Sequence, residues 1–176
     1  MQRSSKSADV DQIEKLHENV YAAIRGLEGE CKVYDHRELA TEIEIRTPAD
    51  FAAALGYPVE RIAKTLFLCS PDRQAYAAAV CSVSRRLDFK SAAGAIGVSR
   101  VEVASAEDLR VKTGYPRNGV SPLGLAYGIS VVVDRPLLDY PSILIGGGAA
   151  AVEIEITPAD LVRISGAAVT SITGDG

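Results

Sequence analysis

The chain has 176 residues, 47% of them hydrophobic and 24% charged, with a formal net charge of -4. That length and balance fit a single globular α/β-sized domain and exclude a disordered chain, a collagen-like rod and a coiled coil. The longest uncharged run, Asn118 to Val133, is broken by Pro122, Gly119, Gly124 and Gly128, so no membrane span and no membrane partner are expected.

In chain order, Val10, Ile13, Leu16, Val20, Ile24 and Leu27 recur at spacings of three and four. The spacing predicts one amphipathic helix that ends near Gly26 to Gly29. Cys31, Val33 and Tyr34 follow as a short strand. Thr47-Pro48-Ala49-Asp50 is a helix start: threonine caps, proline suits the first turn, and aspartate complements the helix dipole. That helix should stop at Gly56. Thr65 to Cys69 and Tyr76 to Val80 are apolar runs separated by Ser70-Pro71-Asp72-Arg73, the pattern of a hairpin or of two neighbouring strands.

A helix is expected over Phe89 to Ile96 and a strand over Val101 to Ala104. Ser105 starts another helix, which Gly114 ends. Ile129 to Val133 and Ser142 to Ile145 read as buried strands, and Val152 to Ile156 alternates like a half-buried one. Thr157-Pro158-Ala159-Asp160 repeats the earlier helix start, and we read it as one solution used twice, not as a repeat. The expected fold is a single α/β domain with a mixed sheet of six or seven strands and about five helices.

Several chemistries lack their motifs. No G-x-x-x-x-G-K-[ST] occurs, no G-x-S-x-G occurs, and Gly146-Gly147-Gly148 precedes a strand pattern, not a helix. The three cysteines, Cys31, Cys69 and Cys81, are odd in number and without C-x-x-C spacing, which argues against a disulfide framework or structural zinc and suits a reducing cytoplasm. Cys69 and Cys81 sit in apolar runs as small hydrophobes. The polar start, Met1 to Asp9, is not followed by an apolar segment, so no secretory leader is expected. His17 falls inside the first helical stripe as a surface or boundary residue. His36 follows a strand and is in position to line a cleft, although a solvated histidine is the simpler reading. No metal and no cofactor are expected.

Two segments stand out. Lys64 opens the apolar run Thr65 to Cys69, where an ammonium either snorkels to water or is held in a cleft for an anion or an ester oxygen. Thr113 to Gly124 holds three glycines and two prolines, giving a loop of defined shape whose backbone N–H groups could cradle an oxyanion. Arg61 to Arg117 also carries a local net charge of +5 in an otherwise acidic chain.

The lysine-threonine-leucine strand start, the Leu87-Asp88-Phe89-Lys90 helix start and the loop Thr113-Gly114-Tyr115 to Gly119-Val120-Ser121-Pro122-Leu123-Gly124 resemble the YbaK/EbsC family. The family comprises free-standing aminoacyl-tRNA deacylases related to the editing domain of prolyl-tRNA synthetase. The match runs from about Val20 to Ile172, which divides the chain into an N-terminal extension over residues 1–19 and a deacylase domain over residues 20–176.

The resemblance implies a strongly curved mixed sheet flanked by helices, and hydrolysis in trans of a mischarged ester, with tRNA for proline carrying a small amino acid such as cysteine or alanine as the expected substrate. It implies Lys64, Gly119 and Ser121 as catalytic residues. Tyr34, Thr65, Val120, Pro122, Gly146, Gly147 and Glu153 would bind substrate. Arg85, Arg86 and Lys90 would meet the acceptor stem of the tRNA partner. A synthetase is a second expected partner, and the chain is expected to be a monomer or a weak homodimer.

The chain departs from the family pattern at Gly146, where serine is common, at Ala149-Ala150, where a basic pair is common, and at Asn118, where glycine is common. These departures leave open a second reading, a catalytically weakened tRNA- or protein-binding module of the same fold.

Overall fold

The N-terminal apolar stripe folds as two helices, α1 (Val10–Ile13) and α2 (Glu18–Ile24), where the spacing predicted one. His17 makes the break. Its backbone is extended, and its Nδ1 accepts a hydrogen bond from the Asn19 N–H at 3.1 Å, so the imidazole caps α2. The apolar face survives the break, because Leu16, Val20 and Ile24 are all buried. This computed structural model describes residues 10–27 and 31–174.

The remaining helices start and stop where their caps dictate. In α3 (Pro48–Leu55), Thr47 and Asp50 form a reciprocal capping box, and Gly56 closes the helix in the left-handed conformation at φ 68°. Asp88, Ser105 and Thr157 cap α4 (Phe89–Ile96), α5 (Ala106–Thr113) and α6 (Pro158–Ser165). Thr157 accepts from the Asp160 N–H as Thr47 does from Asp50, so the two similar segments are the same local device.

Ten strands, not six or seven, are present among the described residues, and they divide among three sheets. The largest pairs β2 (Ala63–Cys69) and β3 (Tyr76–Ser82) as an antiparallel hairpin, with Thr65 opposite Val80. Beside β2 lies β5 (Glu102–Val103). On the other side of the hairpin, β6 (Ser130–Asp134) pairs with β3 and β9 (Ala168–Thr170) pairs with β6, both parallel.

A second sheet holds β1 (Lys32–Asp35), β8 (Val152–Ile156) and β7 (Ile143–Gly146), all antiparallel. The third is a short pair of β4 (Arg86–Leu87) with β10 (Thr173–Gly174). Strands of two or three residues are too short to show a period in sequence, which is why β4, β9 and β10 add to the expected count. The two larger sheets meet through a parallel bridge between Ile62 and Leu144.

β3 can lie between two layers because Ala77, Ala78, Ala79, Val80, Cys81 and Ser82 are small and all buried. Val80 joins the main core with Val20, Val133, Ile145 and Ile154, whereas Ala79 joins a second cluster with Leu68, Val132 and Ile172. Cys69 and Cys81 are buried, and burial pushes the Cys81 thiol up to about 11, so both act as core side chains. Among the described residues no helix is long and apolar enough to cross a membrane.

Candidate active site

A cleft of about 460 Å³ opens where the two larger sheets meet. It is walled by the start of β2 with Lys64 and Thr65, by the loop from Arg117 to Val120, by Gly146 at the end of β7 and by Glu153 on β8. The hairpin register delivers the lysine. Lys64 lies opposite Cys81, near the end of β3, and its Nζ donates to the Arg85 carbonyl oxygen at 2.7 Å. The ammonium is therefore held in place, not left to wander in solvent. Thr65 lies beside it with a buried Oγ1 that finds no hydrogen-bond partner among the described residues. A buried hydroxyl without a partner costs free energy until a ligand supplies one.

The loop is seated by backbone contact. A Cβ on Gly119 would stand 2.5 Å from the Ala149 carbonyl carbon, and a Cβ on Gly146 would overlap the Val120 carbonyl oxygen. Both positions must therefore be glycine for the loop to lie against the β7–β8 turn. Gly148, at φ 80°, receives His17 and Val20 at distances that no side chain would tolerate. The His17 N–H donates to the Gly147 carbonyl, and the His17 ring packs edge-on against Tyr115. The buried Tyr115 hydroxyl in turn donates to the Leu123 carbonyl. The N-terminal helices, the triple glycine and the proline-rich loop thus form one packed unit behind the cleft.

That packing sorts the expected donors. The Gly119 N–H is already spent on the Pro116 carbonyl at 3.1 Å. The Val120 N–H has no acceptor among the described residues, and Val120 lines the cleft. The Arg117 and Asn118 N–H groups, on residues that also line the cleft, are likewise without an acceptor among the described residues, so the free donors flank Gly119 and do not include it. Ser121 is fully buried, and its Oγ accepts from the Leu123 N–H, so its side chain shapes the loop and does not face the cleft. Pro122 is buried behind the loop, and Gly147 supports the N-terminal segment; neither lines the cleft.

Tyr34 stands opposite Glu153 across the β1–β8 ladder, but its phenol leads elsewhere. It donates to Glu155 Oε2 at 2.8 Å, in a knot where Tyr57, Ser142 and Arg61 also hold the Glu155 carboxylate. Burial and that carboxylate push the Tyr34 phenol upward. Arg61 sits over the Tyr57 ring with its side chain 12% exposed, so it is an internal ion-pair partner and no part of a basic surface.

His36, which follows a strand where the sequence allowed it to line a cleft, is in the cleft wall, and the structure adds Arg117. His36 is held by its backbone N–H to the Ala151 carbonyl at 2.9 Å and by its ring, 4.2 Å from that of Phe51. Its Nε2 lies 3.5 Å from Glu153 Oε1. A polar residue directly after a strand was the available signal for His36. Arg117 offered none beyond its place in the loop. Of the remaining basic residues, Arg86 and Lys90 are exposed, and the half-buried Arg85 reaches Thr173. Among the described residues no three His, Cys, Asp or Glu side chains group as metal ligands.

Residues 42–164 match the model of the aminoacyl-tRNA editing domain. An Enterococcus faecalis (strain ATCC 700802 / V583) protein, EbsC, named as a candidate Cys-tRNA(Pro)/Cys-tRNA(Cys) deacylase, is 28% identical over 151 residues, covering 86% of this chain and 92% of its own. The proline–tRNA ligase of Thermosipho melanesiensis (strain DSM 12029 / CIP 104789 / BI429) is 26% identical over 123 residues, 68% of this chain but 21% of the ligase. A solved structure described as a candidate trans-editing enzyme for prolyl tRNA synthetase superposes with a TM-score of 0.73 at 27% identity, over 91% of this chain and 99% of that one. With a family model spanning more than half of its length and the expected α/β fold beneath it, the chain belongs to the aminoacyl-tRNA editing domain family.

Proposed function

We propose that this chain removes a small amino acid, such as cysteine or alanine, from tRNA for proline, acting in trans. The coarser statement follows from family membership: the chain is a hydrolase of the aminoacyl ester of mischarged tRNA. The observation that carries the catalytic reading is one cleft that joins a fixed ammonium, Lys64, to an unspent amide donor, the Val120 N–H; the choice of substrate follows the relative named for Cys-tRNA(Pro) deacylation.

An aminoacyl ester is already activated, so positioning and oxyanion stabilisation suffice. Water adds to the ester carbonyl carbon. The Val120 N–H receives the developing oxyanion, and Lys64 polarises the ester or holds the terminal ribose and phosphate. The tetrahedral intermediate then collapses, the C–O bond to the ribose breaks, and the ribose oxygen leaves with a proton as a hydroxyl. Losing one oxyanion donor costs about 3–4 kcal/mol of barrier in such sites. Gly119 and Ser121 act in this reading as residues that shape the loop, and Thr65, Gly146 and Glu153 as the pocket wall.

The N-terminal extension, through Leu16 and His17, braces the triple glycine from behind. Packing against Val120 accounts for Gly146 by itself, so the glycine is no argument for the binding module. The test is single-turnover deacylation of alanyl-, cysteinyl-, seryl- and prolyl-tRNA for proline by wild type and Lys64→Ala. Turnover of one mischarged species, at least 100-fold slower in Lys64→Ala and absent for prolyl-tRNA, is expected. Tight binding without turnover, by folded protein, would move the assignment to the binding module.

A further inference from the structure

We infer that Glu153, set by His36, is the subsite for the α-ammonium group of the aminoacyl ester, an inference that rests on the deacylase reading above. The ionisable side chains lining the cleft are Lys64, Arg117, His36 and Glu153, so Glu153 is its one carboxylate among the described residues. Its Oε2 is buried and has no hydrogen-bond partner among the described residues, and its side chain is 19% exposed. The nearest cation-forming group, His36 Nε2, is likewise without a hydrogen-bond partner. At 3.5 Å from Oε1, it is too far for a good hydrogen bond. The carboxylate is therefore held near the imidazole without being satisfied by it. A half-buried anion in that condition is stabilised by a ligand that brings a cation and donors.

The substrate brings both. An aminoacylated 3′ end carries one ammonium, next to the ester, and its negative charge lies on the far side, on the phosphates. The cleft is sorted in the same order. Glu153 stands on β8, across Gly146 from the loop, whereas Lys64 and Arg117 lie on the opposing wall and at the loop. With the ammonium on Glu153, the ester carbonyl falls between the carboxylate and the loop, toward the Val120 N–H, and the phosphates fall toward the cations.

His36 acts as a positioning residue. Its ring is pinned against Phe51, and its backbone N–H is tied to the Ala151 carbonyl in the β7–β8 turn, so it limits where the Glu153 carboxylate can lie.

The experiment compares two esters on the same tRNA: the aminoacyl ester that the enzyme turns over, and its isosteric α-hydroxy acid ester, lactyl- in place of alanyl-, which lacks the positive charge. Wild type should prefer the aminoacyl ester by about 10- to 100-fold in kcat/KM, the range of a charge-assisted hydrogen bond. Glu153→Gln should bring that ratio to within about threefold, and His36→Gln should lower it by less. Equal wild-type rates on the two esters would overturn the subsite and leave the deacylase intact, with no variant needed to see it. A Glu153→Gln protein that slows both esters in the same proportion would also overturn it, since that is what a purely structural role predicts. No hydrolysis of any ester by folded protein would overturn the function reading, and the subsite with it.

Discussion

At position 146 the family resemblance invites a serine, and the packing here argues against one. A Cβ at that site overlaps the Val120 carbonyl oxygen, and the same residue carries on its preceding peptide the N–H proposed as the oxyanion donor. Backbone cannot move aside as a flexible side chain can, so the loop as a whole would have to shift. Gly146→Ser should therefore destabilise the fold by about 1–3 kcal/mol, a fall of about 2–10 °C in melting midpoint for a chain of this size. It should also slow deacylation. Thermal melting and single-turnover rates on the same preparation check both. A serine variant that gains activity at an unchanged midpoint would show that the loop has room that the geometry denies. The same reasoning explains why Gly146 read from sequence as a departure: the residue that requires it, Val120, is 26 positions earlier in the chain.

Among the elements, the β1–β8 ladder carries two carboxylates whose environments make the fold sensitive to acid. The Arg37 guanidinium and backbone N–H hold Asp35 down at about 2. For Glu155, burial pushes the carboxyl up, but hydrogen bonds from Ser142, Tyr34 and Tyr57 outweigh it and leave the group below its ordinary value. Both groups ionise more readily folded than unfolded. Their stabilisation is thus complete above the unfolded carboxylate range, near pH 4, and is lost as pH falls through the folded values. The melting midpoint should drop between pH 5 and pH 2, and Glu155→Gln should drop less steeply, from a lower start. An unchanged slope in that variant would mean that the knot contributes nothing to acid sensitivity. Sequence made much of this level readable. The caps at Thr47, Ser105 and Thr157 and the alternation of β8 are local, and local patterns fix helix ends and strand faces. What was not readable depended on distant partners. The break at His17 needs the triple glycine to receive it, Tyr34 is drawn from the cleft by Glu155, and β4 forms only because β10 returns beside it.

For the molecule as a whole, the question is how a chain of net charge -4 holds a polyanion. The local excess of +5 between Arg61 and Arg117 overstates what the surface offers. Arg61 is consumed by Glu155, Arg73 pairs with Asp108 at 3.6 Å, and Lys112 lies over the Tyr76 ring. Arg86, Lys90, Arg100, Arg110 and Arg117 remain exposed; of these, Arg117 lines the cleft, and Arg86 and Lys90 follow Arg85, whose carbonyl holds the Lys64 ammonium. Three phosphate contacts correspond to a slope of about -2 to -3 in log affinity against log salt, or roughly a 20- to 40-fold loss between 50 and 200 mM. Deacylation of whole tRNA under subsaturating conditions should fall by that factor, while a minimal aminoacyl-nucleotide, with almost no backbone to bind, should respond little. The double variant Arg86→Gln/Lys90→Gln should make the whole-tRNA slope shallower by about 1 to 2. If whole tRNA and the minimal ester share one flat salt response, no basic face meets the acceptor stem, and recognition would have to rest inside the cleft. A steep response that the double variant leaves untouched would keep an electrostatic face but move it away from the β4–α4 corner.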